Sequence, residues 1–198
     1  MMKRFIIWVW DGNINMRINR IYCIFISLIF FSFVCDCHCE MNDQVATAYE
    51  IKTAFIIKLT KFVTWPESAF ANQPNQFVIG IIGNDKFGNL FNPLIGKKID
   101  GKDLVLKRFD DLKQIVSAHI LYISPSEHNR IPEILTIIKH KDILTVSDTP
   151  GFAHKGCMIN FINKKGTIGF EINIKAKNET NLQMSSYLLK LSKIIKDY

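Results

Sequence analysis

The segment ILTVSDTPGFAHKGCMINF, residues 143–161, carries Ser147, Asp148, His154 and Cys157. An acid, a base and a thiol are the ingredients of nucleophilic catalysis, where a base takes the proton of the attacking atom and an acid orients the base. Their placement argues against that use. Such groups usually converge from separate segments of the chain. A catalytic thiol also favours a helix N-terminus, which stabilises the thiolate, whereas Cys157 directly precedes an apolar strand-like run. The four residues are therefore expected to be neighbours without a shared task, and no catalytic residue is assigned.

Other candidate chemistry is equally thin. Gly80 to Gly88 (GIIGNDKFG) follows a strand-like run, a setting suited to phosphate binding. It lacks the GxGxxG and Walker spacings, and Asp85 would repel a phosphate. Cys35, Cys37, His38 and Cys39 (CDCHCE) have no second ligand pair of zinc-site spacing, so no metal is expected. His119 lies inside the apolar run AHILYI and reads as a packed side chain. His128, His140 and His154 have no paired spacing. Glu171 has no carboxylate partner nearby in sequence, which leaves acid–base hydrolysis unsupported. No cofactor motif is present.

A different signal comes from apolar and polar side chains that flank turns. Trp65, Phe152 and Met158 sit beside loops, and Glu171 and Asn173 share the polar side of an alternating strand. If exposed together they would form a partner-binding surface. Phe152, Met158, Glu171 and Asn173 are the expected contact residues. Cys157 is the candidate redox or intermolecular thiol, because it is the one cysteine of the chain outside the N-terminal segment.

Local patterns place these residues on alternating elements. Ala48, Ile51, Phe55, Leu59 and Phe62 repeat every three or four residues, which predicts a helix over 48–65, ended by Trp65-Pro66. Phe77 to Ile82 reads as a buried strand. Asp85 is placed to cap a helix from about Lys86 to Ile95. Leu104 to Lys107, Ala118 to Ile123 and Ile143 to Val146 read as strands, and Asp110 or Asp111 starts a short helix. Ser126 to Ile138 reads as a helix. Met158 to Ile162 and Thr167 to Ile174 form a hairpin around Asn163–Gly166, and Leu182 to Ile195 is the closing helix. This alternation predicts an α/β domain with a mixed, largely parallel sheet, a C-terminal antiparallel hairpin and helices on both faces.

The chain has 198 residues and a net charge of +7, enough for one domain with its own core. Ile21 to Val34 is a continuous apolar run preceded by Arg17 and Arg20, the pattern of a signal peptide and short for a membrane span. Residues 1–39 are expected to be a targeting region, with Met16 the better start and cleavage within Cys35–Glu40; an uncleaved membrane anchor is the alternative. Residues 40–198 would then form a single exported domain in an oxidising compartment. Without residues 1–39, which hold four basic and two acidic groups, the charge is +5. The scattered lysines describe a solvated surface that suits an anionic neighbour, and no nucleic-acid partner is expected.

Ordered motifs resemble one family. Lys52-Thr-Ala-Phe55 through Lys61-Phe62-Val63-Thr-Trp65-Pro66 is similar to the opening helix of YfiR/HmsC-like periplasmic proteins. Matches continue with Ile81 to Gly88, Leu94 to Lys97, Ile123-Ser124, Leu144 to Asp148, Gly151 to Ala153, Met158 to Phe161, Phe170 to Asn173 and Ser185 to Leu189. Together they cover about residues 48 to 196. The resemblance implies a periplasmic, non-enzymatic negative regulator that binds the sensor part of an inner-membrane diguanylate cyclase. It would restrain cyclic di-GMP synthesis and biofilm formation, with a homodimer as the implied assembly. A periplasmic binder of a small ligand or cell-wall fragment is the alternative. Two departures stand out. Gly156-Cys157 replaces the usual Gly-Gly, and His119 occupies a position where disulfide-controlled members often have cysteine. Redox tuning through internal bridges is not expected here.

Overall fold

The computed structural model describes residues 40–164 and 166–196, with the side chains of 40–46 left aside. The predicted targeting region, with Cys23, Cys35, Cys37, His38 and Cys39, lies outside the described residues.

A long helix, α1 (Glu40–Leu59), leads into the compact unit that begins at Ala46. It ends in turns through Phe62, and the chain extends again as β1 (Val63–Thr64). The strands that follow are β2 (Gln76–Ile82), β3 (Lys98–Ile99), β4 (Lys102–Phe109) and β5 (Ile120–Ile123). Helix α2 (Ile131–Ile137) precedes β6 (Leu144–Ser147), and β7 (Ile159–Lys164) pairs with β8 (Thr167–Asn173). The chain closes with α3 (Ile174–Asn178), β9 (Gln183–Met184), α4 (Ser186–Leu191) and β10 (Lys193–Ile195).

Eight strands form one sheet in the order β10-β8-β7-β6-β5-β2-β4-β3, and β1 and β9 form a separate antiparallel pair. Neighbours β4, β2, β5, β6 and β7 run parallel, β7–β8 is the antiparallel hairpin, and β3 is antiparallel to β4. The predicted mixed, largely parallel α/β sheet is therefore the observed one.

Side chains alternate between the two faces, and each face has its own core. Ile79, Ile81, Ile120, Tyr122, Leu144 and Val146 pack with Tyr49, Ile56 and Leu59 of α1. On the opposite face Ile82, Leu121 and Ile123 meet Ile131 and Ile134 of α2, with Leu112 and Ile115 of a short 3-10 helix at Leu112–Ser117. Asp111 caps that turn through Lys113 N, as its sequence position suggested.

Four elements differ from expectation, each for a physical reason. The buried stripe of α1 is Tyr49, Thr53, Ile56 and Leu59, while Ile51 is 41% exposed. An apolar spacing of three and four fits two adjacent faces of this helix, and docking selected the face carrying Tyr49. Residues 86–95 are turns with one short helical turn at Asn92–Leu94. There Asp85 accepts from Phe87 N two residues on, a local turn that competes with helix propagation. Ser126 to Ile138 divides at Arg130, because Pro132 fits only the first turn of α2. Of Leu182 to Ile195 only Ser186–Leu191 is helical: Gln183–Met184 pairs with β1, Ser192 is extended at φ −96° and ψ 161°, and β10 joins the sheet beside β8. The ladder at an open sheet edge outcompetes one more helical turn.

Candidate functional site

The opening segment disperses its chemistry. β6 ends at Ser147, whose hydroxyl donates to Ile123 O at 2.8 Å and accepts from Thr149 N at 3.2 Å, which fixes the turn. Because side chains alternate, Ser147 points to the α2 face and Asp148 to the α1 face. His154 is exposed in a short helical turn (Ala153–Lys155). Cys157 is wholly buried, and its thiol donates to Ile159 O at 3.4 Å. Burial pushes that thiol up to about 12, so it is neutral at physiological pH and unsuited to attack.

Asp148 instead anchors a cluster assembled from three elements. Tyr49 and Lys52, one helical turn apart on α1, reach its Oδ2 at 2.9 and 2.5 Å. Tyr122 of β5 donates to Oδ1 at 2.6 Å. The ion pair is nearly enclosed, with side-chain exposures of 14% for Lys52 and 8% for Asp148. Phe87 packs edge-on against both Tyr49 and Tyr122, at 5.0 and 4.7 Å between centroids. Nearby, Arg108 of β4 holds the 85–88 turn through Asp85 at 2.9 Å and Gly88 O at 2.7 Å.

The electrostatics of this cluster describe a lock rather than a reacting centre. Burial alone would raise the Asp148 carboxyl, but the hydrogen bond and charge of Lys52 and the two tyrosine hydroxyls outweigh it and hold it below the ordinary carboxylate value. Burial first, and then Asp148, push both tyrosines above the usual phenol value. The ionised carboxylate has no proton to give at neutral pH, and the neutral phenols hold theirs. The arrangement ties α1 to the carboxyl end of the sheet.

The four expected contact residues lie in the interior, which corrects the expectation that they are exposed. Phe152 is 0% exposed and Met158 5%, each part of the core. Phe152 fills the α2-side core beside Ile123, because the loop folds back onto the sheet. Asn173 caps α3 by accepting from Ala176 N at 2.8 Å and donates to Ala153 O at 2.7 Å. Glu171 is 7% exposed and pairs with Lys193 of β10 at 2.8 Å. The exposed positions of the loop are Pro150, Gly151, His154 and Lys155. The sequence missed the Asp148 cluster because Tyr49 and Lys52 were off the chosen helix stripe. Their spacing of three, with Tyr122 at an inward strand position, is the pattern that could have shown it.

His119 is packed, as expected. It lies between Phe70 and Phe77, at 4.5 and 5.2 Å between ring centres, and its Nδ1 accepts from Val78 N at 2.9 Å. Burial pushes it down to about 4. Among the described residues no three His, Cys, Asp or Glu side chains are grouped to hold a metal. No described helix is long and apolar enough to cross a membrane.

The described residues thus form a mixed α/β sheet in which the buried Asp148 cluster is a structural lock. The YfiR/HmsC-like family model matches residues 49–193, and the chain belongs to that family. Its members are regulators rather than enzymes. No curated protein matches the chain.

Proposed function

We propose that this protein is a periplasmic inhibitory regulator that binds the sensor part of an inner-membrane diguanylate cyclase and restrains cyclic di-GMP synthesis. The family match over residues 49–193 carries this reading. The Asp148 lock supports it, since it fixes α1 on the sheet and leaves the acid and the phenols without reactive protonation states.

The partner surface in this reading is the outer face of the 149–156 loop. Pro150, Gly151, His154 and Lys155 present the contact. Phe152, Met158 and Asn173 hold it from below, and Glu171 with Lys193 braces the neighbouring strands. Self-association uses another region. Tyr187, Leu191 and Ile194 are 59%, 57% and 37% exposed beside β10, the edge of the sheet. An exposed apolar group beside an edge strand favours a second copy. The test is co-purification of the tagged protein with membrane cyclases that carry a periplasmic sensor. Capture of such a cyclase, lost with His154→Glu combined with Lys155→Glu, is the expected result. Failure to capture any cyclase from crosslinked membranes contradicts the proposal.

A further inference from the structure

A cleft of about 240 Å³ opens between the end of α2 and the segment leading out of α3. The local chain path produces it. Ladder pairing between β6 and β7 covers only Val146–Ile159 and Ser147–Asn160. Before that point the strands part, and Met158 N donates to the Thr145 hydroxyl at 2.7 Å rather than to a backbone carbonyl. The gap lies at the amino end of β6, opposite the end that carries Asp148.

The floor is apolar, formed by Leu135, Ile138, Ile143, Met158 and Ala176. The rim is basic: Lys139, His140 and Lys155 line it against one carboxylate, Glu179. The walls are tied together. His140 adopts φ +59°, a left-handed conformation unusual for a side chain with a Cβ, and its Nδ1 lies 3.4 Å from Glu179 O. Asp142 accepts from Asn181 N at 2.8 Å across the same boundary. Strained backbone of this kind persists where surrounding structure enforces it, commonly at binding sites. The Lys155 Nζ lies 3.4 Å from His128 Nε2 and 5.6 Å from the centre of the Phe152 ring.

We propose that this cleft is a binding site for a small organic anion, a carboxylate on an aliphatic or aromatic body. An apolar pocket with a few convergent polar groups is the usual form of a small-ligand site. A cavity of about 150 Å³ accepts benzene, so this volume suits roughly ten non-hydrogen atoms. The apolar body rests on Ile143, Met158 and Ala176, and the carboxylate meets Lys139 and Lys155. The site does not depend on the cyclase reading.

Calorimetric titration and amide chemical-shift mapping with hydrocinnamate and its neutral amide test the site on the folded protein. The expected result is a carboxylate at least about tenfold tighter than the amide, with shifts at Ile143, Met158 and Ala176. Lys139→Ala combined with Lys155→Ala, both exposed positions, is expected to reduce the carboxylate to the affinity of the amide. Thr136→Trp, which fills the mouth from the exposed side of α2, is expected to weaken both. Equal affinity for the two probes in the wild type, shifts mapping elsewhere, or no binding of either probe up to its solubility limit would overturn the proposal.

Discussion

Asp148 accepts from two residues of α1 and one of β5, so its loss is felt by three elements at once. Asp148→Asn leaves the nearly enclosed Lys52 ammonium without a countercharge, and removing one partner of a buried pair is strongly destabilising. We expect a loss of about 3 kcal/mol in urea unfolding. The pH dependence follows from two residues. Asp148 is held low in the folded state, so its contribution is present above the unfolded carboxylate value of about 4 and is lost as pH falls through its folded value. His119 is also depressed, from 6.5 to about 4, so the unfolded chain binds more protons between those values. Stability should decline as pH drops from 6.5 towards 4 and then further through the carboxylate range, as read by thermal melts. His119→Phe should flatten the upper limb; an unchanged limb would remove His119 from the account. Cys157 should resist iodoacetamide in the native protein and react on unfolding. Rapid native alkylation would reopen the intermolecular-bridge reading.

At the scale of elements, β2 is central because Gly80 lets neighbouring strands and their covering groups close. A Cβ there would stand 2.4 Å from the Phe109 ring and 2.9 Å from Ala118 Cβ. Gly80→Ala should cost about 1–3 kcal/mol through overpacking; a neutral result would mean that Phe109 moves freely. Strand identities were legible because FVIGII, AHILYI and ILTV are apolar runs whose burial on both faces needs no periodicity to read. The hairpin was legible from Asn163–Gly166. What the sequence did not disclose depends on partners distant in the chain. The extended path at Lys193–Ile195 requires β8 beside it, and Lys193 meets Glu171 only after that pairing. The expected surface role of Glu171 and Asn173 was lost for the same reason. Strand alternation tells which residues share a face, but it does not say that the 149–156 loop will fold over Asn173 or that Lys193 of the adjoining β10 will pair with Glu171.

For the whole molecule, the sheet has one end locked by Asp148 and, at the amino end of β6, a cleft with a basic rim. The exposed group at Tyr187, Leu191 and Ile194 lies along a third region, beside the β10 edge. For the proposed self-association, Leu191→Asp should give a monomer where the wild-type chain gives a dimer in light scattering, without loss of secondary structure; a monomeric wild type, or a dimer that persists in the variant, would contradict that contact. The role proposed for the molecule is restraint of cyclic di-GMP synthesis by an exported binding protein. Its most direct test is the intracellular cyclic di-GMP level in a strain lacking this protein, compared with the same strain complemented by the full chain and by residues 40–198 expressed without export. A rise on deletion, reversal by the exported chain and no reversal by the unexported one are expected. An unchanged level on deletion, or full reversal by the unexported form, would contradict it.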